Sequence, residues 1–120
     1  MNKNKKIDDS RIKAILKRLN EEFNETGKVS EAMIEDMKNM RQLFIEHEQP
    51  TIVKAIRLVY ETYQKYDAFN VEIWKEDEEH EGIEDYSYFL GLLANPTNKY
   101  NREEIKEMNA VLKFDLTGRS

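Results

Sequence analysis

The chain contains no cysteine. That absence excludes disulfides, thiol catalysis and Cys-ligated zinc together. It also leads to the expectation of a reducing, cytoplasmic setting. Proline occurs twice and glycine four times in 120 residues, too few for the many tight turns of an all-β fold. No apolar run approaches the ~18 residues that a membrane span needs. The opening residues MNKNKKIDDS are basic but lead into no apolar segment, so they do not read as a secretory signal. Gly-x-Ser-x-Gly, a glycine-rich phosphate loop and Gly-Lys-Ser/Thr are all missing. The common signatures of nucleophilic and nucleotide chemistry are therefore absent.

What is present has the balance of a helical domain. Hydrophobic residues make up 39% and charged residues 36%, unlike a disordered chain. The length is that of one domain with a core that needs no covalent staple. Charge is unevenly spread. The net charge is −5, yet residues 1–20 carry a local +5, and residues 72–85 set eight carboxylates against Lys75 alone, a local −7. A uniformly basic nucleic-acid binder does not look like this. The pattern fits a solvated face with a basic arm, or an acidic patch that meets a basic partner.

Residues 50–66, PTIVKAIRLVYETYQKY, form the most apolar regular stretch. Ile52, Ile56, Val59, Tyr63 and Tyr66 follow in steps of four and three, which places them on one stripe of a helix. Lys54, Arg57, Glu61 and Lys65 fall on the other side, with Arg57–Glu61 and Glu61–Lys65 as opposite charges four apart. Ahead of it, Asp8 or Asp9 caps a helix that runs to about residue 26 and ends at Gly27. Its stripe is Ile12, Ile15, Leu16, Leu19 and Phe23. Ser30 caps a second helix to about residue 48, with a stripe of Met33, Met37, Met40 and Phe44 and with Ile34 and Ile45 alongside. Pro50 opens the third helix, where a missing N–H costs nothing.

Beyond Tyr66 the periodicity is less regular. Residues 67–75 read either as a continued helix or, through Val71 and Ile73, as a short strand. Residues 75–85 are charged and contain Gly82. Tyr86, Phe89, Leu90 and Leu93 mark a buried helix, in which Gly91 allows a close backbone approach. Asn95-Pro96 stops it. Asn101 with Glu104 reads as a capping-box start for a last helix carrying Ile105, Met108, Val111 and Leu112. Phe114 and Leu116 follow in a partly docked tail. The expected fold is all-α: a single domain of about five helices over residues 8–116, as an antiparallel bundle or a small orthogonal array. Residues 1–7 form a flexible basic arm and residues 117–120 a tail.

No cofactor, metal site or catalytic residue emerges. Asp77, Glu79, Glu81 and Gly82 imitate the start of a calcium loop, but the twelfth position, which needs a bidentate carboxylate, is Tyr88. Asp77 and His80 share a helical face, yet the only other histidine is His47, too little for a di-metal bundle. Nine of the twelve aromatics lie between Tyr60 and Tyr100. Tyrosines beside an acidic run are what a protein-binding surface contains.

From Tyr88 to Leu116 the chain reads YFLGLLANPTNKYNREEIKEMNAVLKFDL. This stretch resembles the C-terminal part of Cro/CI-like helix-turn-helix domains. The resemblance covers about a quarter of the chain and consists mainly of core-packing positions. It implies that Leu92-Leu93-Ala94-Asn95 closes a recognition helix, that residues 101–112 form the following helix, and that Phe114 and Leu116 plug the core. It implies DNA contact through Lys99, Arg102 and Lys106. The departures concern charge. The recognition helix, residues 83–95, has no Lys or Arg, and Glu84 and Asp85 in its first turn would face phosphates. The stretch 74–83 is acidic where the family has a compact helix with an alanine and a glycine.

The leading expectation is a small non-enzymatic helical protein that acts by binding another protein: an adaptor, an assembly factor or an inhibitor. Its surface would comprise Tyr63, Trp74, Glu76, Asp77, Glu78, Glu79, Glu81 and Tyr86. The alternatives are a DNA-binding regulator with a degenerate helix-turn-helix, disfavoured by charge, and a structural subunit that self-associates through its Met and Tyr stripes.

Overall fold

Asp9 sets where the first helix starts. Its backbone is extended, at φ −120° and ψ 111°, and its carboxylate accepts the Arg11 N–H at 2.9 Å. That is the geometry of an N-cap, which satisfies a donor the first turn leaves free. Helix α1 (Ser10–Thr26) follows and ends at Gly27, whose φ of 69° turns the chain and brings its N–H to the Phe23 carbonyl at 2.7 Å. Only glycine holds this left-handed conformation at little cost. The structure, a computed structural model, describes residues 7–66 and 85–117.

The Ser30 hydroxyl accepts the Met33 N–H at 3.1 Å and opens α2 (Glu31–Glu46). This helix stops two residues short of the expected end. His47 caps it, donating its N–H to the Leu43 carbonyl, and Glu48 turns the chain with φ 55°. Helix α3 (Pro50–Tyr66) starts at the proline, and α4 (Asp85–Ala94) stops before Asn95-Pro96. Helix α5 (Lys99–Thr117) starts before Asn101, and its cap is Asn98. The Asn98 side-chain oxygen accepts the N–H groups of Tyr100 at 3.0 Å and Asn101 at 3.3 Å. An Asn at position 98 competes with the capping-box pattern three residues later and wins, because its carbonyl also takes the Arg102 N–H at 2.9 Å. Glu104 is then released from capping and accepts the Tyr88 hydroxyl instead. Asn101 closes the loop by donating to the Asn95 carbonyl at 3.0 Å.

The five helices found among the described residues close a ring. α1 packs on α2, α2 on α3, α3 on α5, α5 on α4, and α4 returns to α1. The two most extensive of these contacts belong to α3. The expected stripes of α1 and α2 are buried in full, from Ile12 to Phe23 and from Met33 to Phe44. Ile52, Ala55, Ile56, Leu58 and Val59 from α3 join them, as do Phe89, Leu90 and Leu93 from α4 and Ile105, Met108 and Leu112 from α5. Removing each such side chain from water is worth ~1.5–3 kcal/mol.

Three expectations need correction. Tyr66 is 37% exposed, because fourteen residues at 3.6 per turn drift off a stripe that starts at Ile52. Phe114 lies inside α5, 65% exposed; Leu116 alone of the proposed plug packs on the core. A Cβ built on Gly91 meets no atom within 4 Å, so no backbone closes on that position. Residues 67–75, where helix and strand were both open, lie outside the described residues.

Candidate protein-binding groove

A concavity on the described surface lies between the start of α2 and the end of α3. It is an open groove of about 590 Å³. Val29, Ala32 and Ile34 form its apolar side, Tyr63 and Gln64 come from α3, and Glu31, Glu35 and Lys38 supply its charge. The local sequence explains this layout. The α2 core stripe is Met33, Met37 and Met40, so Ile34 sits one position off it and stays half-buried. Glu31 and Glu35 are one turn apart and both exposed, so they share one rim of the groove.

Tyr63 is anchored rather than free. Its ring meets Tyr86 edge to face, with centroids 5.6 Å apart and planes at 90°. Tyr86 in turn tilts against Phe23 at 4.9 Å. The Tyr86 hydroxyl donates to the Met37 sulfur at 3.3 Å, a weak acceptor. Burial holds this phenol well above its ordinary range. On the opposite side Lys38 lies 3.9 Å from the Glu35 carboxylate and 5.5 Å from the Tyr60 ring centroid.

The proposed site residues divide three ways. Tyr63 lines the groove. Tyr86 is a correction: it is 1% exposed and cannot touch a partner. It lies near the start of a helix whose neighbours on α1, α2 and α3 all converge there, so its ring becomes core. Trp74, Glu76, Asp77, Glu78, Glu79 and Glu81 lie outside the described residues, as do Asp77 and His80 of the metal readings. Of the nucleic-acid set, Lys99 and Lys106 are exposed and Arg102 is half-buried. Lys106 lies 3.8 Å from Glu103. On α4, the residues Tyr86, Phe89, Leu90, Leu92 and Leu93 are buried.

Sequence reasoning missed the α2 side of the groove. Ile34, alongside the methionine stripe in the sequence, is the signal that was not used; it lies half-buried at the groove.

A second polar cluster ties helix ends together. Asp9 is buried and accepts from the Arg11 guanidinium at 3.0 and 2.8 Å and from His47 Nε2 at 2.9 Å. A carboxylate only accepts, so Nε2 carries the proton. Arg11 also reaches Glu46 at 3.3 Å. The Arg11 hydrogen bonds, then His47, hold the Asp9 carboxyl well below the usual carboxylate range, and Asp9 holds Arg11 above its own. This cluster joins the start of α1 to the end of α2. Among the described residues no group of three His, Cys, Asp or Glu is placed to hold a metal ion. No described helix is long and apolar enough to cross a membrane.

Comparison with protein-family models, with curated proteins and with solved structures gives no match.

Proposed function

We propose that this protein works by binding another protein, with no catalysis of its own, in a cytoplasmic setting. The contact surface is the α2–α3 groove together with the acidic segment that follows α3 in sequence. The role is that of an adaptor, an assembly factor or an inhibitor. The groove carries the reading. Its volume of about 590 Å³ lies in the range of sites that bury a ligand group. Its apolar side, aromatic wall and few charges are the composition that anchors a partner residue. The −7 stretch at residues 72–85 adds charge that favours a basic partner.

The DNA-regulator alternative has less support. The helix that would enter the major groove has no Lys or Arg along 85–94, and six of its ten residues are buried. DNA affinity rests on cations at phosphates.

The test is capture of partners by the tagged protein from its native lysate, with and without nuclease. Ala32 is exposed on the groove, so Ala32→Trp fills the groove without disturbing the core. A second variant reverses Glu76, Asp77, Glu78 and Glu79 to Lys. The expected result is a discrete protein, resistant to nuclease, that is lost from both variants while helicity is unchanged. Equal capture by wild type and both variants removes the proposed surface. Recovery of DNA in place of protein moves the helix-turn-helix reading forward.

A further inference from the structure

The groove's charges carry a more specific reading, which rests on the protein-binding function proposed above. The Glu31 side chain makes no hydrogen bond or ion pair among the described residues. The first turn of a helix favours an anion through the macrodipole, which accounts for Glu31 as a helix residue. It does not account for a second carboxylate one turn on, along the same rim. Glu35 has only Lys38, at 3.9 Å, the outer limit of an ion pair. Lys38 also lies over the Tyr60 ring, 5.5 Å from its centroid. One unpaired and one loosely paired carboxylate therefore border a groove whose lining also includes Ile34 and Tyr63.

We infer that the α2–α3 groove takes a lysine or arginine side chain of a partner polypeptide, with its hydrocarbon stem against Ile34 and Tyr63 and its cation between Glu31 and Glu35. Long basic side chains bury their stems on apolar surface while the charged head stays at a polar rim. A carboxylate–aromatic rim beside such a channel complements them in charge and shape. A purely apolar anchor would partly desolvate both carboxylates without bringing them a cation. An acidic anchor would be repelled.

The experiment uses the full chain, ¹⁵N-labelled, with three synthetic probes. The first is a twelve-residue peptide of alternating Leu and Lys. The second replaces every Lys by Gln. The third is spermine alone. The variant is Glu31→Gln with Glu35→Gln; both residues are exposed, and unchanged helicity confirms folding. The expected result is that the Lys peptide shifts the amide signals of residues 29–38 and 63–64, and that its affinity falls at least tenfold in the double variant. The Gln peptide is then at least tenfold weaker, and spermine does not reproduce the shifts. If the Gln peptide shifts the same signals with equal affinity, the cation inference is overturned while the groove stands as a protein site. Spermine giving the same shifts overturns it in favour of a small-cation site. If the Lys peptide shifts only signals outside residues 29–38 and 63–64, the groove is not where a basic chain docks; if it binds the double variant equally, Glu31 and Glu35 do not hold its cation and the inference is overturned. The capture experiment above then decides the protein-binding reading separately.

Discussion

Tyr63 and Tyr86 form one aromatic pair with two different environments. Their rings meet edge to face at 5.6 Å, yet Tyr86 is core while Tyr63 is half-buried at the groove. The wall of the proposed binding surface is thus continuous with the packing among α1, α2, α3 and α4. A partner that moves Tyr63 acts directly on a core residue.

That arrangement separates the ring of Tyr86 from its hydroxyl. The hydroxyl's acceptor is a thioether at 3.3 Å, a weak partner, so Tyr86→Phe should change stability by less than about 1 kcal/mol. Tyr86→Ala removes the ring that Phe23 and Tyr63 pack on and should cost ~3–5 kcal/mol. Urea denaturation of the two variants checks this. A loss above ~2 kcal/mol for Tyr86→Phe would show that the hydroxyl itself holds the fold.

Asp9 makes stability depend on acid. Its folded pKa is depressed by Arg11 and His47. The unfolded chain therefore binds its proton more readily, and the contribution is present above about pH 3.9 and lost as pH falls through the folded value. Asp9→Asn keeps an N-cap side chain but removes the charge. Wild type should melt above Asp9→Asn at pH 7, and the gap should narrow progressively as the pH falls below about 4. Thermal melts across that range measure it, and a constant gap sinks the assignment.

Asn109 is a polar residue inside the α3–α5 contact. Its Nδ2 donates to the Thr51 carbonyl at 3.1 Å, and its Oδ1 has no hydrogen-bond partner among the described residues. The Thr51 carbonyl also sits in the first turns of α3, where the i−4 ladder supplies a donor. Replacing Asn109 by Leu removes an unsatisfied buried acceptor and orphans nothing. The expected effect is neutral to stabilising, by up to about 1 kcal/mol. Destabilisation by more than ~2 kcal/mol in chemical denaturation would mean that this amide has a partner the geometry does not reveal.

Local chemistry was legible where one segment contains all the information. The stripes Ile12–Phe23 and Met33–Phe44 are buried as their spacing predicts. Gly27, Ser30 and Pro50 sit at the helix boundaries they mark, and the Arg57–Glu61 pair forms at 3.0 Å. Legibility fell where two local signals compete. Asn98 and Asn101 are both good caps, and hydrogen-bond geometry alone chose Asn98.

It ended where distant segments meet. Tyr63, Tyr66 and Tyr86 are the same residue type, yet they finish half-buried, exposed and buried. His47 reaches Asp9 across 38 positions, and the groove draws on residues 29–38 and 63–64. The sequence by itself determined the helices, their ends and their apolar faces, because caps and 3.6-residue periodicity act over a few neighbouring positions. Only the tertiary structure decided the order of the helix ring, which tyrosine became core and which surface stayed open. Those outcomes depend on which faces meet, and packing between elements carries no signature within any one of them.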